Sequence, residues 1–409
     1  MAKGDRKLNG SSRTAGAVAL AVSVTVDTTL PVALIAVIAD PAGADLGFGP
    51  AVVGVLAAVY WAASSAVSLT ARRLVVRMAP STTMVLTGAL ALVSLTGSAL
   101  ISPDWQWLAL WAALGGAANA LGHPSSNTWL QKRVPQRRRA FAFGAKQAAV
   151  PVASVVTGAS LPLLVGTFGW RWAFAPAIVV SAAVLVAAVV LGRRASTAPV
   201  ASRVTTAPRV PAAARKYLLL IAATTFFAAA HANSMGVFAV TGAIQRGLGN
   251  GTAGVLLVAA SVFAVVVRTA AGVLADRGIG GSLVTVAALL VLGAAGLAAM
   301  CSTVPAVFVA GALVAFTGSF GWPGLVHYVV ARSMGPWTAT GTLITQTGSY
   351  LGSTAGPILF GLAFDRFGNG LPWLGMAASA AGAAILAAIA ASRENEAVAS
   401  LDREFATSG

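Results

Sequence analysis

The segment RTAAGVLADR, at positions 268–277, lies where one long apolar stretch ends and shortly before a second begins. The first stretch covers about 252–274 and the second covers about 282–302. As a helix, each is long enough to cross the ~30 Å hydrocarbon core of a bilayer. Asp276 and Arg277 fall between them. The segment is therefore predicted to end in a short hydrophilic connection between two transmembrane helices.

The same apolar pattern extends over most of the 409 residues. Hydrophobic residues make up 57% of the chain and charged residues only 9%, whereas about a quarter of a soluble domain is charged. Apolar runs of this length are helical, because the hydrocarbon offers no partner to an open strand. We predict an all-α membrane protein with twelve transmembrane helices, near 15–39, 50–70, 82–101, 105–130, 140–166, 172–192, 217–240, 252–274, 282–302, 304–330, 338–363 and 371–391.

The basic residues divide unequally between the two predicted sides of the membrane. If the N-terminus is cytoplasmic, 22 of the 27 Lys and Arg residues lie on the cytoplasmic side. Arg171, Arg246 and Arg366 lie on the opposite side, and Lys146 and Arg268 lie inside spans. Cytoplasmic loops of membrane proteins are enriched in Lys and Arg. The asymmetry supports twelve spans with both termini in the cytoplasm, and it accounts for the net charge of +16 without nucleic acid as a partner.

A hydrophilic segment divides the chain into two halves of six predicted spans. It contains Pro199, Pro208 and Pro211 among Ser and Thr, as linkers do. A cleaved signal peptide is an alternative for the N-terminus, but the apolar run of about 25 residues exceeds the 7–15 of such peptides. The predicted domains are a cytoplasmic tail, a six-helix bundle, a cytoplasmic linker, a second six-helix bundle and a partly disordered cytoplasmic tail, at 1–14, 15–192, 193–216, 217–391 and 392–409.

The two halves share residues at nearly constant offsets. Gly122-His123-Pro124 matches Gly321-Trp322-Pro323 at an offset of 199. Nearer the start of each half the offset is 204, at which Arg73 matches Arg277. The pattern indicates duplication of a six-helix unit, and such pairs of units hold substrate between them near the middle of the membrane.

Three motifs resemble those of the major facilitator superfamily. The segment 268–277 resembles its G-x-L-a-D-R loop between helices 8 and 9, and FGWRW at 168–172 resembles its turn into helix 6. The glycines from Gly348 to Gly361, followed by FDRFG at 364–368, resemble its helix 11. The resemblance covers about 15–391. It implies two six-helix bundles, transport by alternating access, and a monomer.

The sequence departs from the family pattern at two places. The first-half copy of the loop motif begins at Ser68 and ends at Arg72-Arg73, without the Gly and the Asp, so a gate built on that carboxylate is in doubt. The helix 5 motif of the family's drug antiporters is replaced by the segment from Gly144 to Pro151. Helices 8 to 11 resemble more closely those of small organic-anion carriers of the monocarboxylate or cyanate type.

Several classes of activity have little support. Cys301 is the single cysteine and there are only three histidines, which argues against a disulfide, a cysteine metal cluster or a zinc enzyme. No Gly-x4-Gly-Lys-Ser/Thr loop is present to bind ATP. We expect no catalytic residue, no metal and no cofactor.

Asp27 and His231 are the predicted proton-coupling residues. Asp27 lies about 12 residues into the first span, so ~18 Å deep, where a charge costs at least ~2.5–3.5 kcal/mol. Burial favours the protonated acid, and the hydroxyls of neighbouring Thr25, Thr28 and Thr29 can hydrogen-bond it. A structural ion pair is the alternative. His231, near the middle of the seventh span, has side-chain chemistry suited to relaying protons.

Polar residues inside spans are the predicted substrate contacts. Lys146 has three possible roles, which are binding an anionic substrate, pairing with Asp27, or only extending toward the membrane surface. Gln147 and Gln346, also 199 positions apart, offer amides to a solute or to a neighbouring helix. The full predicted set is His123, Asn127, Lys146, Gln147, Asn233, Trp322, His327, Tyr328 and Gln346. By the resemblance, Arg73, Arg268, Asp276 and Arg277 are expected to gate a conformation.

These features favour a secondary active transporter of a small organic solute, with a preference for an organic anion and with proton coupling. The expected partners are a small-molecule substrate, protons and the lipid bilayer, in a cell membrane of the bacterial inner-membrane type. Efflux of a drug or metabolite by proton antiport is the main alternative. A non-transporting membrane sensor on the same fold and a membrane enzyme are more remote ones.

Overall fold

The computed structural model describes residues 2–70, 78–135, 139–193 and 210–408, and within these ranges it contains helices and no strand. The prediction of an all-helical protein is confirmed. Short π and 3-10 turns at Leu161–Val165, Trp170–Ala173 and Gly335–Trp337 link some of the helices. The twelve long helices of the described ranges are α1 (Ala2–Leu46), α2 (Pro50–Thr70), α3 (Pro80–Leu100), α4 (Trp105–Arg133), α5 (Arg139–Ser160), α6 (Phe174–Arg193), α7 (Ala212–Ile244), α8 (Asn250–Asp276), α9 (Leu283–Ala299), α10 (Pro305–Met334), α11 (Thr338–Phe367) and α12 (Leu371–Ser408).

Nine of these described helices are long and apolar enough to cross a membrane. A tenth, α9, is apolar but has only 17 residues. The remaining two, α4 and α11, are 29 and 30 residues long but are more polar. Because α4 carries His123 and Asn127 and α11 carries Gln346, polarity is concentrated on helices that supply candidate site residues.

The helix pairings of the first half recur in the second half. In the first half, α4 packs on α2 and α3, α5 packs on α1, and α6 packs on α3. The equivalent pairs in the second half are α10 with α8 and α9, α11 with α7, and α12 with α9. The halves meet mainly through α2 against α11 and through α5 against α8, which are themselves an equivalent pair. This recurrence agrees with the predicted duplication of a six-helix unit.

The apolar core differs between the two ends of the bundle. We call the end that holds the start of α1 and the end of α12 the inner end, which is the predicted cytoplasmic side, and the opposite end the outer end. At the outer end all twelve helices contribute to one core, in which Leu34 and Phe238 come from different halves. At the inner end each half has a separate core, around Met84 and Trp129 or around Leu290 and Val329. Among the described residues, an apolar core shared by the two halves is therefore present at the outer end and not at the inner end.

Glycines bring α11 close to α7. Gly348, Gly352 and Gly356 are spaced one helical turn apart, and each faces the main chain of α7. A Cβ atom at Gly352 would overlap the carbonyl group of Phe226. Small residues permit such close approach, which is the main source of packing energy between helices in lipid.

Replacing Gly352 with alanine is therefore expected to destabilise the protein by about 1–3 kcal/mol, because the added methyl group meets rigid main chain. Gly382→Ala on α12 is the matched control, since no atom lies near its added Cβ. The control should be neutral or stabilising by up to ~1 kcal/mol. Thermal unfolding of the detergent-purified variants measures both. Equal melting temperatures for the two variants would contradict the packing argument.

The C-terminal tail differs from the sequence prediction of partial disorder, because α12 continues as a helix to Ser408. Glu394 accepts a hydrogen bond from Arg332 Nη2 of α10 at 2.7 Å. Ala397 and Leu401 are buried in the inner core of the second half. The tail is helical because one face packs on the bundle while the other carries charge.

Candidate substrate and coupling site

Three charged side chains are buried within the described part of the chain: Asp27, Lys146 and Arg268. A charge inside a membrane-spanning bundle is costly, and such groups are usually paired or functional. Their partners therefore indicate what each of them does.

Lys146 is bound by neutral groups of α4. Its Nζ donates to Asn127 Oδ1 at 2.6 Å and to the main-chain oxygen of His123 at 3.1 Å, and it lies 3.5 Å from His123 Nδ1. The side chain is only 1% exposed, and no described carboxylate forms an ion pair with it. The predicted alternative of a Lys146–Asp27 pair is thus not formed in this structure.

Arg268 connects the two halves. Its Nη1 donates to the main-chain oxygen of Gln147 on α5 at 2.5 Å, and its Nε donates to the main-chain oxygen of Phe320 on α10. The guanidinium lies 5.7 Å from the centre of the Phe320 ring. No described carboxylate pairs with it. Arg268, which was predicted to gate, therefore lies at the α5–α8 interface. Its partner on α5, Gln147, is the residue after Lys146.

His327 and Gln346 bring the second half into the same region. His327 lies near Lys146, Arg268 and the side chain of Gln346, and its Nδ1 is 2.7 Å from the main-chain oxygen of Pro323. Tyr350, one turn after Gln346, is a further neighbour of that amide. His123, Asn127, His327 and Gln346 are all partly exposed although they lie well inside the helices. Together with Lys146 and Arg268 they form what we call the cationic cluster.

The cationic cluster suits an anion. Lys146 and Arg268 are held by carbonyl and amide oxygens, and no acidic side chain among the described residues forms an ion pair with either of them. Buried cations that lack a counter-ion attract a negatively charged ligand strongly, because little water screens them. Histidine and amide groups on α4, α10 and α11 supply additional hydrogen bonds for orientation.

Asp27 makes no hydrogen bond or ion pair with a residue of the cationic cluster. It is fully buried, and neither carboxyl oxygen has a hydrogen-bond partner among the described residues. Ser181 of α6 is its polar neighbour, and the Ser181 hydroxyl is likewise unpartnered. Burial with only the Ser181 hydroxyl nearby favours the protonated form of this acid over the ionised carboxylate.

The threonines next to Asp27 in the sequence do not hydrogen-bond its carboxyl group in this structure. Thr25 Oγ1 donates to the main-chain oxygen of Ala21 at 2.9 Å, and Thr29 Oγ1 donates to that of Thr25 at 2.7 Å. Thr28 also donates to the Thr25 oxygen. Threonine in a helix prefers the carbonyl of the preceding turn, which leaves the carboxyl without these partners.

The other predicted residues lie outside the cationic cluster. His231 Nδ1 is 2.8 Å from the Phe227 oxygen, while its Nε2 is buried without a partner. Asn233 donates to Ser353 Oγ of α11 at 2.9 Å. Trp322 belongs to the inner core of the second half, and Tyr328 packs against that core.

Two of the predicted gating residues are at the inner end of α8, and one lies outside the described residues. Asp276 and Arg277 are exposed, and Asp276 forms no ion pair with a described residue. Arg73 lies outside the described ranges. Ser181 and Tyr350 were not among the residues predicted from the sequence. The one-turn spacing from Gln346 is a signal that could have found Tyr350, but nothing in α6 distinguishes Ser181.

A hydrogen bond between the halves reinforces the closed outer end. Asp365 Oδ2 of α11 accepts the main-chain N–H of Ala51, in the first turn of α2, at 3.0 Å. Free N–H groups and the positive end of the helix dipole make a helix N-terminus a favourable place for a carboxylate. The contact exists only while α2 and α11 stay together at this end.

Replacing Asp365 with alanine is expected to shift the protein toward a conformation with an open outer end, by roughly 3–10-fold in population, since a cap contributes about 1 kcal/mol. The rate at which a membrane-impermeant maleimide labels a cysteine placed at Val53, which is buried at this end, reports the opening. Asp104→Ala, at the N-terminus of α4, removes a cap within one half and is the control. Unchanged labelling in the Asp365 variant would contradict this role.

Comparison with known proteins agrees with the fold. The family described as the Major Facilitator Superfamily matches residues 16–249, which is more than half of the chain. No curated protein sequence matches the chain.

One similar solved structure is a bacterial homolog to the human lysosomal transporter Spinster, in an inward-facing and unoccupied conformation, with a TM-score of 0.66 and 16% identity over 96% of this chain and 98% of that one. A second is such a homolog in an inward-facing and occupied conformation, with a TM-score of 0.61 and 17% identity over 95% and 96%. The twelve-helix fold with its repeated pairings and the family match together show that this chain is a multi-pass membrane protein of the major facilitator superfamily, a family of transporters rather than enzymes.

Proposed function

We propose that this protein is a proton-coupled secondary active transporter of a small organic anion. The observation that carries the proposal is the pair of buried cations, Lys146 and Arg268, at the α5–α8 interface without an acidic partner among the described residues. A carboxylate substrate would supply the missing negative charge. The substrate would then lie between the two halves, in contact with His123, Asn127, His327 and Gln346.

Alternating access follows from the distribution of the core. The single outer core and the two separate inner cores describe a state that closes toward the outside, so substrate would enter or leave the cationic cluster from the inner end. Transport requires the opposite state, in which the inner ends approach each other. In that state, Asp276 and Arg277 at the inner end of α8 would form ion pairs or hydrogen bonds with the other half.

Coupling to protons is assigned to Asp27. The acid is neutral in the state with separate inner cores, and helix movement that hydrates the region between α1 and α6 would release its proton. His231, whose Nε2 has no partner among the described residues, is the second group that could take part. We place the protein in a bacterial plasma membrane as a monomer, with both tails and the 193–216 linker in the cytoplasm and the two bundles at 15–192 and 217–391.

The proposal is tested in two steps with purified protein. A thermal-unfolding screen compares monocarboxylates and dicarboxylates with neutral analogues and organic cations, because a ligand that binds the folded state raises the melting temperature. Anions that stabilise the protein are then offered to proteoliposomes with and without a pH gradient. Stabilisation by anions and uptake that responds to the gradient are expected. Stabilisation by cations alone, or transport that is indifferent to the gradient, would overturn the proposal.

A further inference from the structure

A cavity of about 200 Å³ lies at the outer end, far along the helices from the cationic cluster. The last turns of α1 and the first turns of α2 form one wall, with Asp40, Gly43 and Val53 among its residues. Phe238 and Thr241 of α7 form the other wall. The two walls therefore belong to different halves of the protein.

Two polar atoms in this cavity lack partners among the described residues. They are Asp40 Oδ2 and Thr241 Oγ1, and both are buried. Thr241 is only 3% exposed. The two side chains are close enough for the hydroxyl to act on the carboxyl group, but no direct hydrogen bond with acceptable geometry joins them. Buried polar atoms in proteins are normally satisfied, so this pair is expected to bind something between them.

The surroundings favour a positive charge. Asp40 supplies a carboxylate and no basic residue lines the cavity, while the carbonyl end of α1 and the N-terminus of α2 both border it, so that their helix dipoles oppose each other. Of the three arginines of the outer end, Arg366 is exposed and does not line the cavity, and the other two have partners elsewhere. Arg171 is bound to Asp45 at 3.0 Å, and Arg246 donates to main-chain oxygens that include those of Met300 and Ser302.

We propose that this cavity binds a small monovalent cation through the Asp40 carboxylate and the Thr241 hydroxyl, with water completing the coordination shell. One carboxylate is too few for a divalent ion such as Ca²⁺, which takes several charged oxygen ligands. Because the ligands come from both halves, the bound cation holds α1 and α7 together and favours the state with a closed outer end. The site is separate from the cationic cluster and from Asp27, so it goes beyond the proposed transport function and does not depend on it.

The first test uses thermal unfolding of the detergent-purified protein. Chloride salts of Na⁺, K⁺ and NH₄⁺ are compared with N-methylglucamine chloride at constant ionic strength. At least one small cation should raise the melting temperature by about 2 °C or more, with a saturating dependence on concentration. Asp40→Asn should abolish this response and Thr241→Val should weaken it. Asp104→Asn is the matched control, since Asn caps the N-terminus of α4 as well as Asp does and lies outside the cavity.

The second test measures the state of the outer end directly. In a Cys301→Ser background, a cysteine at Ala57, which is buried in the outer core and does not line the cavity, is labelled by a membrane-impermeant maleimide in proteoliposomes. The stabilising cation should slow labelling several-fold in the parent protein and in Asp104→Asn, but not in Asp40→Asn. If Asp40→Asn does not fold, Thr241→Val decides the question by its weaker response. Equal behaviour in all cations and N-methylglucamine, or a response that both cavity variants retain in full, would overturn the proposal.

Discussion

Replacing Lys146 with methionine is expected to weaken binding of the transported anion by about 30-fold or more. Truncating one member of a buried charge pair typically costs at least ~2 kcal/mol of binding free energy, and 1.4 kcal/mol corresponds to a factor of ten. Methionine keeps the length and apolar stem of lysine but cannot neutralise a carboxylate. Ligand binding is measured by titration of the melting temperature or by calorimetry, with Lys216→Met, an exposed residue at the start of α7, as the matched control.

The same variant separates a functional role from a structural one. A buried cation without an acidic partner is retained at a cost in stability, so removing it is expected to leave the melting temperature of the ligand-free protein unchanged or higher. If Lys146 instead stabilises α4 and α5 through Asn127 and the His123 oxygen, the variant will melt several degrees below the control. Unaltered anion affinity would show that the substrate does not contact Lys146.

Replacing Asp27 with asparagine is expected to abolish accumulation driven by a pH gradient while preserving exchange of substrate. Asparagine resembles the protonated acid that the structure supports, so the state with separate inner cores remains accessible. It cannot release a proton, which removes the link between the gradient and the conformational cycle. Steady-state accumulation should fall at least ~10-fold to the equilibrium level, since each tenfold gradient requires about 1.4 kcal/mol from the proton.

Two assays in proteoliposomes check this result. Uptake with an imposed pH gradient measures accumulation, and entrance counterflow without a gradient measures exchange. Asp104→Asn, on the surface at the N-terminus of α4, is the control for loss of one carboxylate. Full accumulation by the Asp27 variant would eliminate this residue as the coupling group and would leave His231 as the remaining predicted one.

Much of the architecture follows from local properties of the chain. The length of each apolar run, the position of Lys and Arg, and the polar segment near 193–216 together predicted an all-α protein with twelve helices, and the structure confirms its helical fold. The two intramembrane cations were also evident, because a charge within an apolar run is visible without knowledge of its neighbours. The tail was predicted less well, since its helical state depends on Arg332 and on the inner core of the second half.

The partners of the polar groups could not be predicted in the same way. The repeat pairs His123 with Trp322, yet His123 lies in the cationic cluster whereas Trp322 is buried in a core. Likewise the sequence allowed an ion pair between Lys146 and Asp27. In the structure, neutral oxygens of His123 and Asn127 accept the hydrogen bonds of Lys146 instead.

The sequence by itself determined that this chain is helical, that it has membrane spans, and which few charges lie within them, because hydrophobic length and charge placement act on each segment separately. Only the tertiary structure decided that Lys146 and Arg268 share one interface, that Asp27 faces Ser181 inside the first half, and that the halves close at the outer end. Those contacts join residues far apart in the chain, and they depend on the rotation and register of helices that only mutual packing fixes.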